Sequence, residues 1–346
     1  MTQQTSEYYS HVSEHLYNIL DNVGYSREDR DRKIRFATDY EMFWNMEMAL
    51  VVPATRFYIY MLGSRGESST GPGLESDTDI LIHSDDYNGV TDLTDCQIDM
   101  INLLMVKDNS THPGYVKLHL IRISPDFTPV PIYGVVPIDS SNRSVILNAG
   151  FRKYGPVSGP AMRVPGINKM HSTDHVYSIR CTRWPQEEYE WFQRRRLHGW
   201  PTPKQIQNAW EYGCFATPVG HPHSSEQHLE WRLSFSIAER ELVRSFEDAA
   251  MKVYILLKMV KKTFIEPVVG DAFSSYHCKV CMLWMREQTP RELWRSGNIL
   301  YCLIRCISQL YEWATTGYCP DYFIVTNNIY DRKIVGSVRF DLIQRL

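Results

Sequence analysis

The chain has 346 residues, 43% of them hydrophobic and 22% charged, with a formal net charge of −3. That length holds one large domain or two modest ones, and the composition excludes a disordered chain. No run of about 18 apolar residues occurs, so no membrane span is expected, and neither half is basic enough to argue for a nucleic-acid ligand.

Leu16, Ile19, Leu20 and Val23 have helical spacing. Gly24 ends that helix, and Ser26 caps a charged one. A longer helical stretch covers 37–50, before Pro53. Residues 56–62, rich in aromatic and β-branched side chains, read as a strand leading into Gly63-Ser64. A second strand at 77–82 makes a hairpin with a long loop. That loop, 65–74, carries three glycines and reads as flexible, a segment for an activator to order. Residues 95–106 look helical, 115–123 alternate as a strand, and 124–170 are rich in Pro, Gly and Ser. Asp174 enters a further strand at 175–181. After Trp184-Pro185 the spacing predicts helices at 187–196, 203–212, 238–246, 249–263, 274–286 and 297–314. The expected fold is an α/β half, 1–190, followed by a helical half, 191–346. The N-terminus lacks a basic and apolar leader, and the eight cysteines lie mostly in apolar stretches as reduced thiols, so a cytoplasmic protein is expected.

The chemistry concentrates in 63–82. Residues i and i+2 of a strand share a face, so Asp77 and Asp79 point the same way, about 7 Å apart. Two such carboxylates repel unless a cation sits between them. Gly63-Ser64 offers backbone N–H groups and a hydroxyl suited to phosphate. A metal-dependent phosphoryl site needs a third carboxylate on a neighbouring strand, and Asp174 is the best candidate; it also reads as a turn or cap residue. In 231–239, Arg232 suits a triphosphate or base. Ser234 and Ser236 share a face, and Ser236 with Glu239 matches a capping box. Lys258 lies on an amphipathic helix, and Ser274-Ser275-Tyr276 opens the next. His221, His223 and His228 with Cys214 match no strong zinc spacing.

In this order the pieces resemble the cyclic GMP–AMP synthase-like receptors, within the wider Mab family of nucleotidyltransferases. The residues carrying the resemblance are Gly63-Ser64, Asp77-x-Asp79, Asp174 ahead of Trp184-Pro185, the run Trp231-Arg-Leu-Ser-Phe-Ser236, Leu257-Lys258, the run Ser274-Ser-Tyr-His-Cys-Lys279, and Tyr322-Phe-Ile324 before Asn327-Asn328. The resemblance covers about 40–330. It implies a bilobal fold: a nucleotidyltransferase palm, with a mixed β-sheet and flanking helices, then a helical C-terminal lobe, with the active site in the cleft. It implies a metal triad of Asp77, Asp79 and Asp174 holding two Mg²⁺ or Mn²⁺ ions. Gly63 and Ser64 would hold the triphosphate, and Arg232, Ser234, Ser236, Glu239, Lys258, Ser275 and Tyr276 would line the nucleotide pocket. The implied activity joins two nucleoside triphosphates, such as ATP and GTP, into a cyclic dinucleotide that acts on a downstream receptor in innate immunity. A catalytically silent, nucleotide- or partner-binding member is the alternative. Two departures stand out. Residues 237–260 contain no cysteine or histidine, so the zinc thumb of the vertebrate DNA sensor is absent and no structural zinc is expected. The metal pair is Asp-x-Asp where the family often has Glu-x-Asp. Without the thumb, double-stranded RNA is favoured over DNA as activator.

Overall fold

The computed structural model describes residues 3–346 apart from 55, 75, 136, 152–156, 159–160, 165–171 and 332. Helix α1 (Gln3–Leu20) runs into a kink at Val23 and Gly24, where Gly24 takes φ +92°, and α2 (Arg27–Val51) restarts behind Ser26. Ser26 Oγ accepts from the Asp29 N–H at 3.1 Å, and the Asp29 carboxylate accepts from the Ser26 N–H at 3.3 Å, closing a capping box. The charged stretch and the helix expected over 37–50 are therefore one helix.

Strands β1 (Phe57–Leu62) and β2 (Thr78–Ser84) form the expected hairpin, with the one-turn helix α3 (Gly63–Gly66) at the end of β1. Strand alternation sorts their side chains. Ile59, Met61, Ile80 and Ile82 pack on Ala37, Tyr40 and Trp44 of α2. Leu62 and Leu81 face the other way, onto Phe215 and Ile237.

The remaining strands are β3 (Tyr87–Val90), β4 (Ile101–Val106), β5 (Tyr115–Ile123), β6 (Pro129–Pro131), β7 (Val157–Ser158), β8 (Ala161–Val164), β9 (Thr173–Tyr177), β10 (Ile179–Cys181), β11 (Cys214–Thr217) and β12 (Glu230–Ser234). One sheet has the order β1-β2-β9-β8-β7. The other has the order β12-β11-β10-β3-β4-β5-β6, and β12 returns to pair with β5. β2 runs parallel to β9, and β3 parallel to β10, so the two chains cross from sheet to sheet side by side. The crossing splits the strand expected at 175–181. Ser178 breaks it, donating its N–H to Ile82 O at 2.8 Å, and Asp174 lies inside β9 rather than ahead of it.

The helix expected over 95–106 is absent; that run ends in β4, an interior strand between β3 and β5. Five apolar residues around Asn102 carry no periodicity that separates a buried strand from a buried helix, and tertiary pairing decides. The helix expected at 187–196 is reduced to a 3₁₀ turn (Gln186–Tyr189) and the four-residue α4 (Glu190–Gln193). Beyond it lie α5 (Pro203–Tyr212), α6 (Ser236–Arg244), α7 (Asp248–Val260), α8 (Glu266–Val269), α9 (Ser275–Gln288), α10 (Ile299–Thr316) and α11 (Gly336–Arg345). The chain after 190 is thus mostly but not purely helical, because β11 and β12 complete the second sheet. The largest core joins that sheet to α6, α7, α9 and α10 through Trp184, Trp231, Tyr254 and their neighbours.

Candidate active site

The turn after β1 brings a carboxylate against the backbone. Gly63 has φ +58°, and a Cβ there would meet Asp79 Oδ2 at 1.7 Å. Only glycine lets Asp79 lie against this turn. Asp79 stands opposite Leu62 of β1 on one side and Asp174 of β9 on the other. Neighbouring strands are about 4.8 Å apart, so the two carboxyl groups share one environment. Burial pushes the Asp79 carboxyl up to about 6; Lys279 opposes this, while Asp174, Glu67 and Asp77 add to it. Asp174 is also raised, by burial and then by Asp77, with Arg163 opposing. Its Oδ1 is buried and has no hydrogen-bond partner. Asp77 is more exposed and already engaged: Ser172 Oγ donates to it at 2.7 Å, and Arg163 Nη2 lies 3.4 Å away. Among the described residues, no three His, Cys, Asp or Glu side chains converge as a metal cluster. The Asp79–Asp174 pair nonetheless suits a hard divalent cation, with oxygen donors only and one orphaned buried oxygen.

Ser64 is joined to α7. Lys258 Nζ donates to Ser64 Oγ at 2.9 Å, Ser69 O at 3.0 Å and Ser69 Oγ at 3.2 Å. Burial lowers the Lys258 ammonium to about 8. On α9, Lys279 Nζ lies 2.6 Å from Glu67 Oε1 and 2.8 Å from Glu239 Oε2. Burial works against that charge, but Glu239 and Glu67 outweigh it and hold Lys279 above the ordinary lysine range. The Tyr276 hydroxyl donates to Asp321 at 2.9 Å and to Glu239 at 3.4 Å. A cavity of about 160 Å³ opens beside the turn, lined by Ser64, Leu74, Ser76, Lys258, Lys261, Lys262, Glu266 and Ser275. A larger one, about 290 Å³, lies between α5 and α6 and shares none of these residues.

Gly63, Ser64, Asp79 and Asp174 therefore meet; Lys258 and Ser275 join them through Ser64 and the cavity, and Glu239 and Tyr276 through hydrogen bonds around Lys279. Arg232 and Ser234 lie on β12, where Arg232 is exposed beside Tyr115 and its charge reaches Tyr276. The capping box expected from Ser236 and Glu239 does not form. Ser236 is the first residue of α6 with a buried, unpartnered hydroxyl, and the Glu239 carboxylate turns to Lys279, a stronger charge-assisted bond. Cys214 lies in β11 opposite Cys181, while His221 stacks on His112 with ring centroids 3.6 Å apart. The loop at 65–74 is pinned rather than free. Lys33 donates to Thr70 O at 2.8 Å, Tyr25 to Pro72 O at 2.8 Å, Lys262 to Gly73 O at 2.8 Å, and Arg244 to Gly66 O at 2.8 Å.

Sequence reasoning missed Glu67 and Ser69, which are buried polar residues in a loop that reads as solvent-exposed. It also left Lys279 without a role, although Ser275 and Lys279 share a helix face at i and i+4.

A model of the Mab-21 protein nucleotidyltransferase domain matches residues 137–245, and one of the Mab-21 protein HhH/H2TH-like domain matches residues 249–342. A cyclic GMP-AMP synthase-like receptor of Magallana gigas is 28% identical over 163 residues, 45% of this chain and 27% of the relative. Cyclic GMP-AMP synthase of Sus scrofa is 24% identical over 131 residues, 33% of this chain and 26% of the relative. The chain thus spans about a quarter of the length of each relative. No helix among the described residues is long and apolar enough to cross a membrane. The two domain matches, in the expected order and together covering more than half of the chain, show that it belongs to the Mab-21 and cyclic GMP–AMP synthase-like family of nucleotidyltransferases.

Proposed function

We propose that the protein is an active, metal-dependent nucleotidyltransferase that joins two nucleoside triphosphates into a cyclic dinucleotide, such as cyclic GMP–AMP, and releases pyrophosphate. The observation that carries this reading is the register pairing of Asp79 with Asp174 against a Gly63–Ser64 turn whose serine is bonded to buried Lys258. Carboxylates for a cation and a cationic cradle for a polyphosphate lie on the two sides of one turn.

Asp79 and Asp174 would hold Mg²⁺ or Mn²⁺, and Asp77 would join them after exchanging Arg163 and Ser172 for the metal. Two such ions, when bound, activate the attacking ribose hydroxyl and neutralise the leaving pyrophosphate. The chain's own residues do the positioning. Ser64, Lys258 and Ser275 orient the triphosphate, and Lys279 keeps Glu67 and Glu239 in place behind the turn. Catalysis then rests on orientation and electrostatics, without a covalent intermediate. Arg232, Ser234, Ser236 and Tyr276 are assigned to the base and ribose side of the nucleotide.

Double-stranded RNA is the favoured activator, because residues 237–260 lack the cysteines and histidine of a zinc thumb. The product would act on a downstream cyclic-dinucleotide receptor, and the protein would work in the cytoplasm. One observation favours the silent, nucleotide-binding alternative: Asp77 is occupied by Arg163 and Ser172, and the three aspartates do not converge. The test is incubation with labelled ATP, GTP, CTP and UTP, Mg²⁺ or Mn²⁺, and double-stranded RNA or DNA, followed by product separation. A cyclic product lost in Asp79→Asn supports the active reading. Tight triphosphate binding with no product under any condition supports the silent one.

A further inference from the structure

Lys258, Lys261 and Lys262 stand at i, i+3 and i+4, so one face at the end of α7 carries three ammonium groups toward the small cavity. A π-helical turn, Lys261–Ile265, follows, and α8 brings Glu266 back to the same cavity. Such turns commonly re-aim functional side chains. The three lysines have different partners. Lys258 binds Ser64 and Ser69, and Lys262 donates to Gly73 O, so both are held by the loop beside the turn. Lys261 is held by a carboxylate: its Nζ lies 2.8 Å from Glu266 Oε2, with Lys261 12% and Glu266 39% exposed.

The cavity, about 160 Å³, is well below the roughly 300 Å³ at which pockets for drug-sized ligands begin. It is too small for a nucleoside. Among the described residues, its lining of three lysines and three serines against one carboxylate and one leucine suits a polyphosphate, with the first turn of α9 at Ser275 adding backbone N–H groups. The Glu266 carboxylate offers Lys261 the same charge-assisted contact that a terminal phosphate oxygen would offer.

We propose that Lys261 is a ligand for the terminal phosphate of the bound triphosphate and that Glu266 is its exchange partner, releasing Lys261 on binding and reclaiming it as pyrophosphate leaves. This rests on the triphosphate reading of the same site. Glu266 thereby weakens both anions and favours product departure.

The test is equilibrium binding of inorganic tripolyphosphate and of pyrophosphate, by calorimetry, so that no turnover is required. Glu266→Gln is expected to tighten both by roughly tenfold and Lys261→Gln to weaken both by roughly tenfold, the scale of one charge-assisted hydrogen bond. The opposite signs separate exchange from a structural role, since breaking a merely structural pair moves both variants the same way. If the two variants shift together, or neither shifts while Lys258→Gln weakens binding, the exchange is refuted and the triphosphate reading stands. If the unaltered protein binds neither anion, both fall.

Discussion

Replacing Lys258 with methionine should separate the stability of this protein from its proposed triphosphate binding. The ammonium is buried, and burial lowers its pKa from 10.5 to about 8. That difference corresponds to about 3 kcal/mol of unfavourable free energy for carrying the charge in the folded state. The folded-state pKa lies below the unfolded one, so between about 8 and 10.5 the unfolded chain holds more protons. Stability therefore rises with pH across that window, and at neutral pH the full cost is present. Methionine keeps the aliphatic volume and removes the charge. Against this, the Ser64 and Ser69 hydroxyls can rotate to other partners, Ser69 Oγ already lying 3.4 Å from Ser64 O, so Ser69 O bears the main loss, and one buried acceptor left unpaired costs about 1–3 kcal/mol. Lys258→Met should thus be between neutral and about 2 kcal/mol more stable than the parent at neutral pH, while losing triphosphate binding. Urea unfolding followed by tryptophan fluorescence, at about pH 7 and about pH 10, measures both the sign and its pH dependence. A variant destabilised by more than about 2 kcal/mol at neutral pH would refute the reasoning. So would a gap between variant and parent that stays the same at the two pH values.

Asp79 carries the mirror-image prediction. Its folded pKa of about 6 lies above 3.8, so its ionisation destabilises the fold as pH rises through about 6. Asp79→Asn should melt higher than the parent at neutral pH without metal, by up to about 3 kcal/mol, and this advantage should vanish below about pH 4; an unchanged gap counts against it. Mn²⁺ should raise the melting temperature of the parent but not of Asp79→Asn or Asp174→Asn, read by thermal scanning with and without a chelator. Gly63→Ala should cost about 1–3 kcal/mol from the positive φ alone and displace Asp79 as well, so urea midpoint and product formation should fall together. Lys279→Met leaves Glu67, 1% exposed, and Glu239, 10% exposed, without their cation, and should lower stability by about 3–5 kcal/mol in the same urea assay.

Much of the candidate site was legible because its signals are local. The Gly-Ser turn, Asp79 on β2 with Asp77 one residue ahead of the strand, and the serines that open α9 are chemistry written within a few residues. Lys258 was named from its string, and the structure gives it a partner, Ser64, 194 residues away. What failed was equally specific. Residues 101–106 read as helix because a short apolar run has no decisive period, and β3 and β5 make it a strand. Glycines at 66, 71 and 73 suggested a loose loop, yet contacts from α2, α6 and α7 hold it. Ser236 and Glu239 have capping-box spacing, but Lys279 claims the glutamate.

From the chain alone came the strand carrying Asp79, the Gly63-Ser64 turn, and the helices that present lysine and serine, because period, turn chemistry and capping act over a handful of residues. The tertiary structure alone decided which carboxylates are neighbours, that Arg163 and Ser172 occupy Asp77, and that Glu67 and Glu239 share Lys279. Those choices depend on strand register and on burial between distant elements. Both are set by the packing of the whole chain, and no local run of residues encodes them.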